Sequence, residues 1–468
     1  MTIVTPGVVP ASELLREGRP DWLAEWGRFA ASVRFGDLPG DVVARTKLVL
    51  LDCLGAIAAG HREPEMRAFV ARLDAGTYPA VGSGRRLTGN AAALADGTAG
   101  TMLELDEGNQ YARGHPGIHV VPAALVAAAR EGASGCDLLL AIALGYEMGS
   151  RIGIASKLRV TMHPHGTWGT TGAAMAVARL GGARDEEVIE TINVASSLGL
   201  TTSRRTMLEG GTVRNVYAGV SNQLGLVAWD LVRSGFVGER DGIGTVFGTV
   251  IADDFRPAEM VAELGARWEI ARNYFKRHAA CRYTHGALDA LADIARQAGG
   301  RLDPASVGSV EVDTYVWAAQ LDHPEPRNML AAKFSLPFAV ATSIVHGGAG
   351  LDAFRDDARR DPAVGDLARR VTVREDAALT AMLPGLRPAR LRVTLADGRV
   401  LSAEALTNRG DTEDPYGPEE VTEKFFELAG PTFGTKGARR IVDAIEALDR
   451  SDSAVLLAAL EAPALTAA

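Results

Sequence analysis

Cysteine is scarce in this 468-residue chain. Cys53, Cys136 and Cys281 are too few and too scattered to form a disulfide framework, which agrees with a reducing compartment. Excess positive charge is missing as well: the formal net charge of -9 leaves no basic surface to neutralise phosphates, so no nucleic acid is expected as a partner. No apolar run approaches an uninterrupted transmembrane span, and Met1-Thr-Ile-Val-Thr-Pro6 has no basic n-region ahead of an apolar stretch. Neither a membrane partner nor a signal peptide is expected, and the expected location is cytoplasmic. A phosphate-binding P-loop is also absent. Gly82-Ser-Gly84-Arg-Arg-Leu87 lacks the third glycine and the preceding strand that a dinucleotide fingerprint requires.

What is present is an ordinary globular composition, 47% hydrophobic and 23% charged, on a chain long enough for two domains. Asp37-Leu-Pro-Gly-Asp41 reads as a turn with an N-cap. Val42 to Ile57 follow at helical spacing, and Gly60 offers a C-cap. The spans 91–103, 120–130, 138–151, 171–180, 186–197 and 215–232 repeat this Ala-, Gly-, Leu- and Val-rich style, which predicts closely packed buried helices. The pattern then changes. Spans 307–315 and 371–374 alternate like strands, and Asp397-Gly398 between 390–395 and 399–406 signals a hairpin, with helices expected over 288–296 and 334–345. Helical patterning returns over 418–428 and 439–448. Two helices alone cannot bury their apolar faces, so this tail should pack back on the first half. The expected fold is two-domain, α plus α/β: a large all-α domain, discontinuous over 1–271 and 409–468, and a smaller α+β domain over 272–408.

The stretch Glu104-Leu-Asp106-Glu107-Gly-Asn-Gln-Tyr-Ala-Arg113-Gly-His115-Pro-Gly-Ile-His119 concentrates carboxylates, a guanidinium and imidazoles between two apolar helices. One reading is a connecting loop whose acids cap the next helix and pair with the arginine at the surface. The other is a site, because ionisable groups at the edge of a core must be paired or titrate abnormally. His163-Pro-His165 precedes Gly166-Thr-Trp-Gly-Thr-Thr-Gly172, where a helix start offers backbone N–H groups to an anion. Zinc ligation by His163, His165, Cys281 and His285 is disfavoured, since histidines flanking a proline point apart unless the segment is extended. Arg204, Arg205 and Arg214 form one cationic cluster; Lys276, Arg277, His278, Arg282 and His285 form another, at the expected domain junction. Each could be a solvated face. Together, across a cleft, they suit a small-molecule polycarboxylate.

In order along the chain, Asp41 to Gly60, Asp96-Gly97 through Glu104 to Glu107, Arg113-Gly-His115-Pro116, His163-Pro to Gly172, Thr212-Val-Arg214 through Gly219, Lys276 with Cys281 and His285, and Ala332-Lys-Phe-Ser335-Leu-Pro-Phe-Ala339 resemble the motifs of the MmgE/PrpD family. The resemblance spans nearly the whole chain. It implies a helical domain with an α+β lid domain, a homodimer, no cofactor and no metal, and an interdomain site. The activities it brings to mind are 2-methylcitrate dehydration, cis-aconitate decarboxylation and iminodisuccinate epimerisation. Carried over residue by residue, it makes Asp106, His115, His163 and Lys276 the acid/base groups and puts Glu104, Arg113, His165, Arg214, Cys281, Arg282 and His285 around the substrate. This sequence departs from the family's habit at Thr101, where a His is frequent, at Glu104 (Asp), at Arg214 (Lys) and at His165 (a small polar residue). A guanidinium does not give up its proton, so Arg214 should anchor a carboxylate. The leading expectation is a dehydratase acting on a hydroxy-polycarboxylate. The alternatives are an epimerase or decarboxylase on a related acid, and a silent anion-binding protein of the same fold.

Overall fold

A computed structural model describes residues 18–461. The expectation for Met1–Pro6 lies outside the described residues. Eleven helices of ten residues or more are found among those described. Eight lie in the first half of the chain: α1 (Asp21–Ser32), α2 (Gly40–Gly60), α3 (Gly89–Thr101), α4 (Pro116–Glu131), α5 (Gly135–Ala155), α6 (Gly169–Leu180), α7 (Asp185–Ser196) and α8 (Val216–Arg233). The others are α9 (His285–Gln297), α10 (Leu336–His346) and α11 (Pro418–Glu446). The chain is mostly helical, but its first half is not all-α as expected. Residues 1–271 carry one small hairpin, β1 (Ala75–Ala80) with β2 (Arg85–Leu87), and one antiparallel pair of strands distant in sequence, β3 (Ser156–Leu158) with β4 (Ala252–Phe255). These strands are too short for periodicity to register. The glycine-rich Gly82–Gly84 stretch is the β1–β2 turn, with Gly82 at φ 75 and Gly84 at φ 70.

Small residues let the helices approach closely. Gly60 is not the left-handed cap expected. It is the last residue of α2, capped by His61 in a right-handed conformation, and a Cβ there would lie 1.8 Å from the carbonyl oxygen of Ala99 on α3. Asp41 likewise sits in the first turn of α2 rather than at its N-cap, which is Pro39. α5 is long and apolar enough to cross a membrane, with mean hydropathy 1.4, yet 94% of that window is buried in the protein's core.

The main sheet has the order β6–β5–β7–β8, formed by β5 (Val307–Thr314), β6 (Val371–Glu375), β7 (Ala389–Leu395) and β8 (Val400–Ala405). β5 and β6 are parallel; the other pairs are antiparallel, with Val312 opposite Val373 on one side and Leu391 on the other. α9 packs on β7 and β8, and α10 on β6, covering the apolar face of Val310, Val312, Leu391 and Val393. The tail carries the two expected helices, joined end to end in α11 across a kink at Gly434 (φ 67, ψ 164). It lies against α2, which buries Phe425 and Leu428.

Candidate active site

The loop between α3 and α4 is buried throughout its acidic part: Glu104, Asp106 and Glu107 are all at most 1% exposed. Neither reading of this loop holds alone. Glu107 does cap the next helix, accepting from the Gly117 amide at 2.7 Å, but Arg113 does not pair with the acids at the surface. It donates to the carbonyls of Gly153, at 2.9 Å, and of Ser156. Glu104 (φ 54) and Arg113 (φ 58) are two of only three non-glycine residues with positive φ among those described. Strain of this kind persists where the surroundings over-determine it, and it gathers at functional sites.

Both residues face one narrow cavity of about 50 Å³. Glu104, Arg113 and His115 come from this loop; His163 and His165 come from the segment before α6; Arg204 and Arg214 come from the segment between α7 and α8. Cys281 and Arg282 close it from the other side, together with Tyr274, Tyr283 and Phe334, and Arg387 comes from the approach to β7. Antiparallel backbone bonds fasten the two sides, from Gly108 N–H to Tyr274 O at 3.0 Å and from Tyr274 N–H to Gly108 O at 2.7 Å.

Five guanidinium groups therefore meet at one cavity, and their donors are incompletely used. Arg214 is ion-paired with Glu104 and Arg282 with Asp411, while Arg387 donates to Gln110 O at 2.6 Å and lies 5.3 Å above the Tyr283 ring. Nε of Arg204, Arg214, Arg282 and Arg387 is buried with no hydrogen-bond partner. Unsatisfied buried donors of this number are costly, and an anion would satisfy them.

Asp106 and Lys276 stand one layer behind the lining. Asp106 Oδ2 is 3.1 Å from His115 Nδ1, and Lys276 Nζ is 3.7 Å from Asp106 and 3.8 Å from Glu104. Burial alone would raise the Asp106 carboxyl, but His115 and Lys276 outweigh it and hold Asp106 well below the usual carboxylate range. The proton on His115 is placed by its neighbours. Nδ1 also lies 2.8 Å from the carbonyl of Glu107, an acceptor, so Nδ1 carries a hydrogen and Nε2 is the nitrogen left to face other partners. His163 is the reverse case. Its Nδ1 accepts from the backbone N–H of His165 at 3.0 Å, leaving the hydrogen on Nε2. Burial, reinforced by Arg214, lowers the pKa of both His163 and His165 well below the ordinary value, so both are neutral. Two imidazoles, one donating from Nδ1 and the other accepting there, thus share a cavity.

The two histidines around Pro164 do not point apart: both line the cavity, with ring centroids 5.8 Å apart. Cys281 also lines it, its thiol pushed up to about 11 by burial and by Glu104, so it is a packing group rather than a thiolate. His285 is placed elsewhere. It is buried beside His278 with Nε2 3.2 Å from Ala280 O, outside the lining residues. Among the described residues no three His, Cys, Asp or Glu side chains gather as a metal-binding group.

This layout can be set beside known proteins. The MmgE/PrpD N-terminal domain model matches residues 24–250, and the C-terminal domain model matches residues 278–450. The chain belongs to the MmgE/PrpD family. It is 26% identical over 469 residues to a cis-aconitate decarboxylase of Aspergillus terreus, covering 93% of this chain and 95% of the relative. It is also 26% identical over 470 residues to the cis-aconitate decarboxylase-like protein oryM of Aspergillus oryzae, covering 93% and 96%.

In this MmgE/PrpD chain several lining groups escape a reading of the sequence. Arg204 was visible only as part of a charge cluster. Arg387 sits alone between Leu386 and Pro388 with no local signal, and reaches the site because its loop folds over residue Gln110, 277 positions away. Tyr274, Tyr283 and Phe334 stack beneath arginines, Arg282 lying 4.8 Å over Tyr274 and Arg214 5.5 Å over Phe334, which holds the guanidinium planes in place.

Proposed function

We propose that the protein is a lyase that acts on a small polycarboxylate by moving protons beside a carboxylate, with the dehydration of a hydroxy-tricarboxylate of the 2-methylcitrate type as its reaction. The observation that carries the reading is the pair of oppositely set imidazoles within a ring of under-used guanidinium groups. Arg204, Arg282 and Arg387 would hold substrate carboxylates, and Arg214 would face the charge that develops on the enolate-like transition state, with Lys276 adding positive charge from the layer behind. One such donor is worth about 3–4 kcal/mol in comparable sites. His115, oriented by Asp106, would take the proton beside the carboxylate through Nε2. His163 would give its Nε2 proton to the departing hydroxyl, so that water leaves and an alkene forms. The imidazolate this leaves would be held by the surrounding guanidinium groups and take back the proton carried by His115.

Decarboxylation is the second reading, and the names of the two fungal relatives favour it. It needs one proton donor to quench the carbanion and no base, so it would leave His115 idle. Proton NMR in deuterium oxide with 2-methylcitrate, citrate, cis-aconitate and an amino-dicarboxylate panel separates the two. Alkene formation without carbon dioxide supports dehydration, carbon dioxide release supports the second reading, and α-proton exchange with no other change would indicate an epimerase. His163→Ala is expected to lower turnover about 100-fold or more while the protein stays folded. Near-normal turnover in that variant would remove the acid from the scheme.

A further inference from the structure

One imidazole beside the site has no role in this scheme. His119, in the first turns of α4, is fully buried, and its Nε2 lies 3.1 Å from Nδ1 of His165 with ring centroids 4.5 Å apart. Trp168 packs edge-on against it at 5.5 Å. The space it occupies exists because residue 169 is glycine: a Cβ there would lie 2.2 Å from Nδ1 of His119. His165 in turn sits between the two proton-transfer groups, its ring 5.3 Å from that of His115 and 5.8 Å from that of His163. The two outward nitrogens of the pair, Nδ1 of His119 and Nε2 of His165, are buried and without a hydrogen-bond partner.

Two neutral imidazoles joined by one hydrogen bond have two arrangements. If His165 donates, His119 must keep its hydrogen on Nδ1, where no acceptor exists. If His119 donates from Nε2, a lone pair is left in the core and the second hydrogen sits on Nε2 of His165, a residue that lines the cavity, where water or a substrate oxygen can accept it. A buried N–H with no acceptor is rarer and costlier than an under-used lone pair, which decides for the second arrangement. We propose that His119 is a positioning residue that fixes His165 as a neutral Nε2–H donor directed into the cavity, where it offers an uncharged hydrogen bond to a substrate carboxylate or enolate oxygen.

Burial, with His115 nearby, pushes His119 down to about 3, and the pKa of His165 is likewise depressed, so the pair holds no net charge through the neutral range. His165 thereby differs from the arginines around it. It contributes direction without adding to the charge that a trianion already meets. The assignment of the oxygen it serves rests on the proposed function; the tautomer does not.

The test is 15N NMR of the full-length protein labelled at histidine, with the His165 resonances identified by their loss in His165→Asn. The expected result is His165 hydrogenated at Nε2 and bare at Nδ1, without substrate present. His119→Gln keeps an N–H donor where Nε2 stood and should preserve that pattern, with kcat/KM within a few-fold of the parent. His119→Met should mix the tautomers and lower kcat/KM by roughly ten- to a hundredfold, the loss expected for a hydrogen bond to a charged group. Hydrogen on Nδ1 of His165, or equal losses in the Gln and Met variants, would overturn the proposal. Because the tautomer is read without turnover, a failure of the substrate panel would count against the proposed reaction alone.

Discussion

Glu107 follows Asp106 directly, yet the two carboxyl groups answer to different neighbours. Asp106 has His115 and Lys276, whereas Glu107 has only neutral donors: the Gly117 amide at 2.7 Å, the Tyr146 hydroxyl at 2.9 Å and the Asn273 amide at 3.3 Å. Burial therefore dominates, and it pushes Glu107 up from 4.5 to about 8. Between those two values the folded chain keeps a proton that the unfolded chain gives up. The folded state then binds more protons than the unfolded one, and stability must fall as pH rises through that window. Glu147, pushed up to about 7 chiefly by burial, acts with the same sign. The buried histidines with lowered pKa act with the opposite sign below about pH 7, so the Glu107 contribution is read by difference: in urea unfolding at pH 5 and pH 8 the parent should lose stability relative to Glu107→Gln by on the order of a few kcal/mol. Glu107→Gln, neutral at both values, should lose distinctly less, with part of the slope retained through Glu147. Equal slopes in the two proteins would mean that Glu107 is ionised in the fold.

Among the elements, α11 has a second task besides covering α2. Lys424 reaches down from it to Asp52 Oδ1 at 2.6 Å and to the carbonyl of Leu105 at 2.5 Å, while Asp52 Oδ2 accepts from the Glu107 amide at 2.9 Å. A buried ion pair from α2 and α11 thus clasps the backbone of the acidic loop from beneath. Removing one partner strands a buried charge, so Lys424→Met is expected to destabilise by about 3–5 kcal/mol, read as a fall in urea midpoint. Lys424→Arg should recover part of that, and an unchanged midpoint in the Met variant would show that the pair contributes nothing. That α11 returns to the first half could be read from the sequence, because its apolar spacing has no partner of its own. That it delivers a lysine to Asp52 could not. Periodicity states which face of a helix is buried, not which residue 372 positions away lies beneath it. The same limit explains the site. Histidines and acids clustered in local motifs were legible, whereas the ordering into lining and supporting layers, with Asp106 and Lys276 behind and His285 aside, depends on tertiary depth.

For the molecule as a whole the question is how a tricarboxylate enters. A cavity of about 50 Å³ holds a few water molecules, far less than such a substrate needs. The groups around it arrive from both family regions, His115, His163 and Arg214 from residues 24–250 and Arg282 and Arg387 from residues 278–450. Separation of the α+β part from the helical part would open the site, and named contacts tie the two together. Arg387 donates to Gln110 O at 2.6 Å, Gln110 Nε2 to Gly385 O at 3.1 Å, Asn328 Nδ2 to Gly210 O at 2.8 Å and buried Lys333 to Leu103 O at 2.9 Å, and Arg355 pairs with Glu63 at 3.1 Å. We propose that the α+β part is a lid that opens by releasing these contacts and closes as substrate carboxylates recruit the arginines, with water excluded on closure. Small-angle scattering should record a larger radius of gyration without ligand than with saturating 2-methylcitrate or cis-aconitate. Arg387→Gln, which removes a charge from the lid side, should need a higher ligand concentration for the same compaction. A radius that does not change with ligand in the parent protein would rule out the lid and require a route to the cavity through the helical part itself.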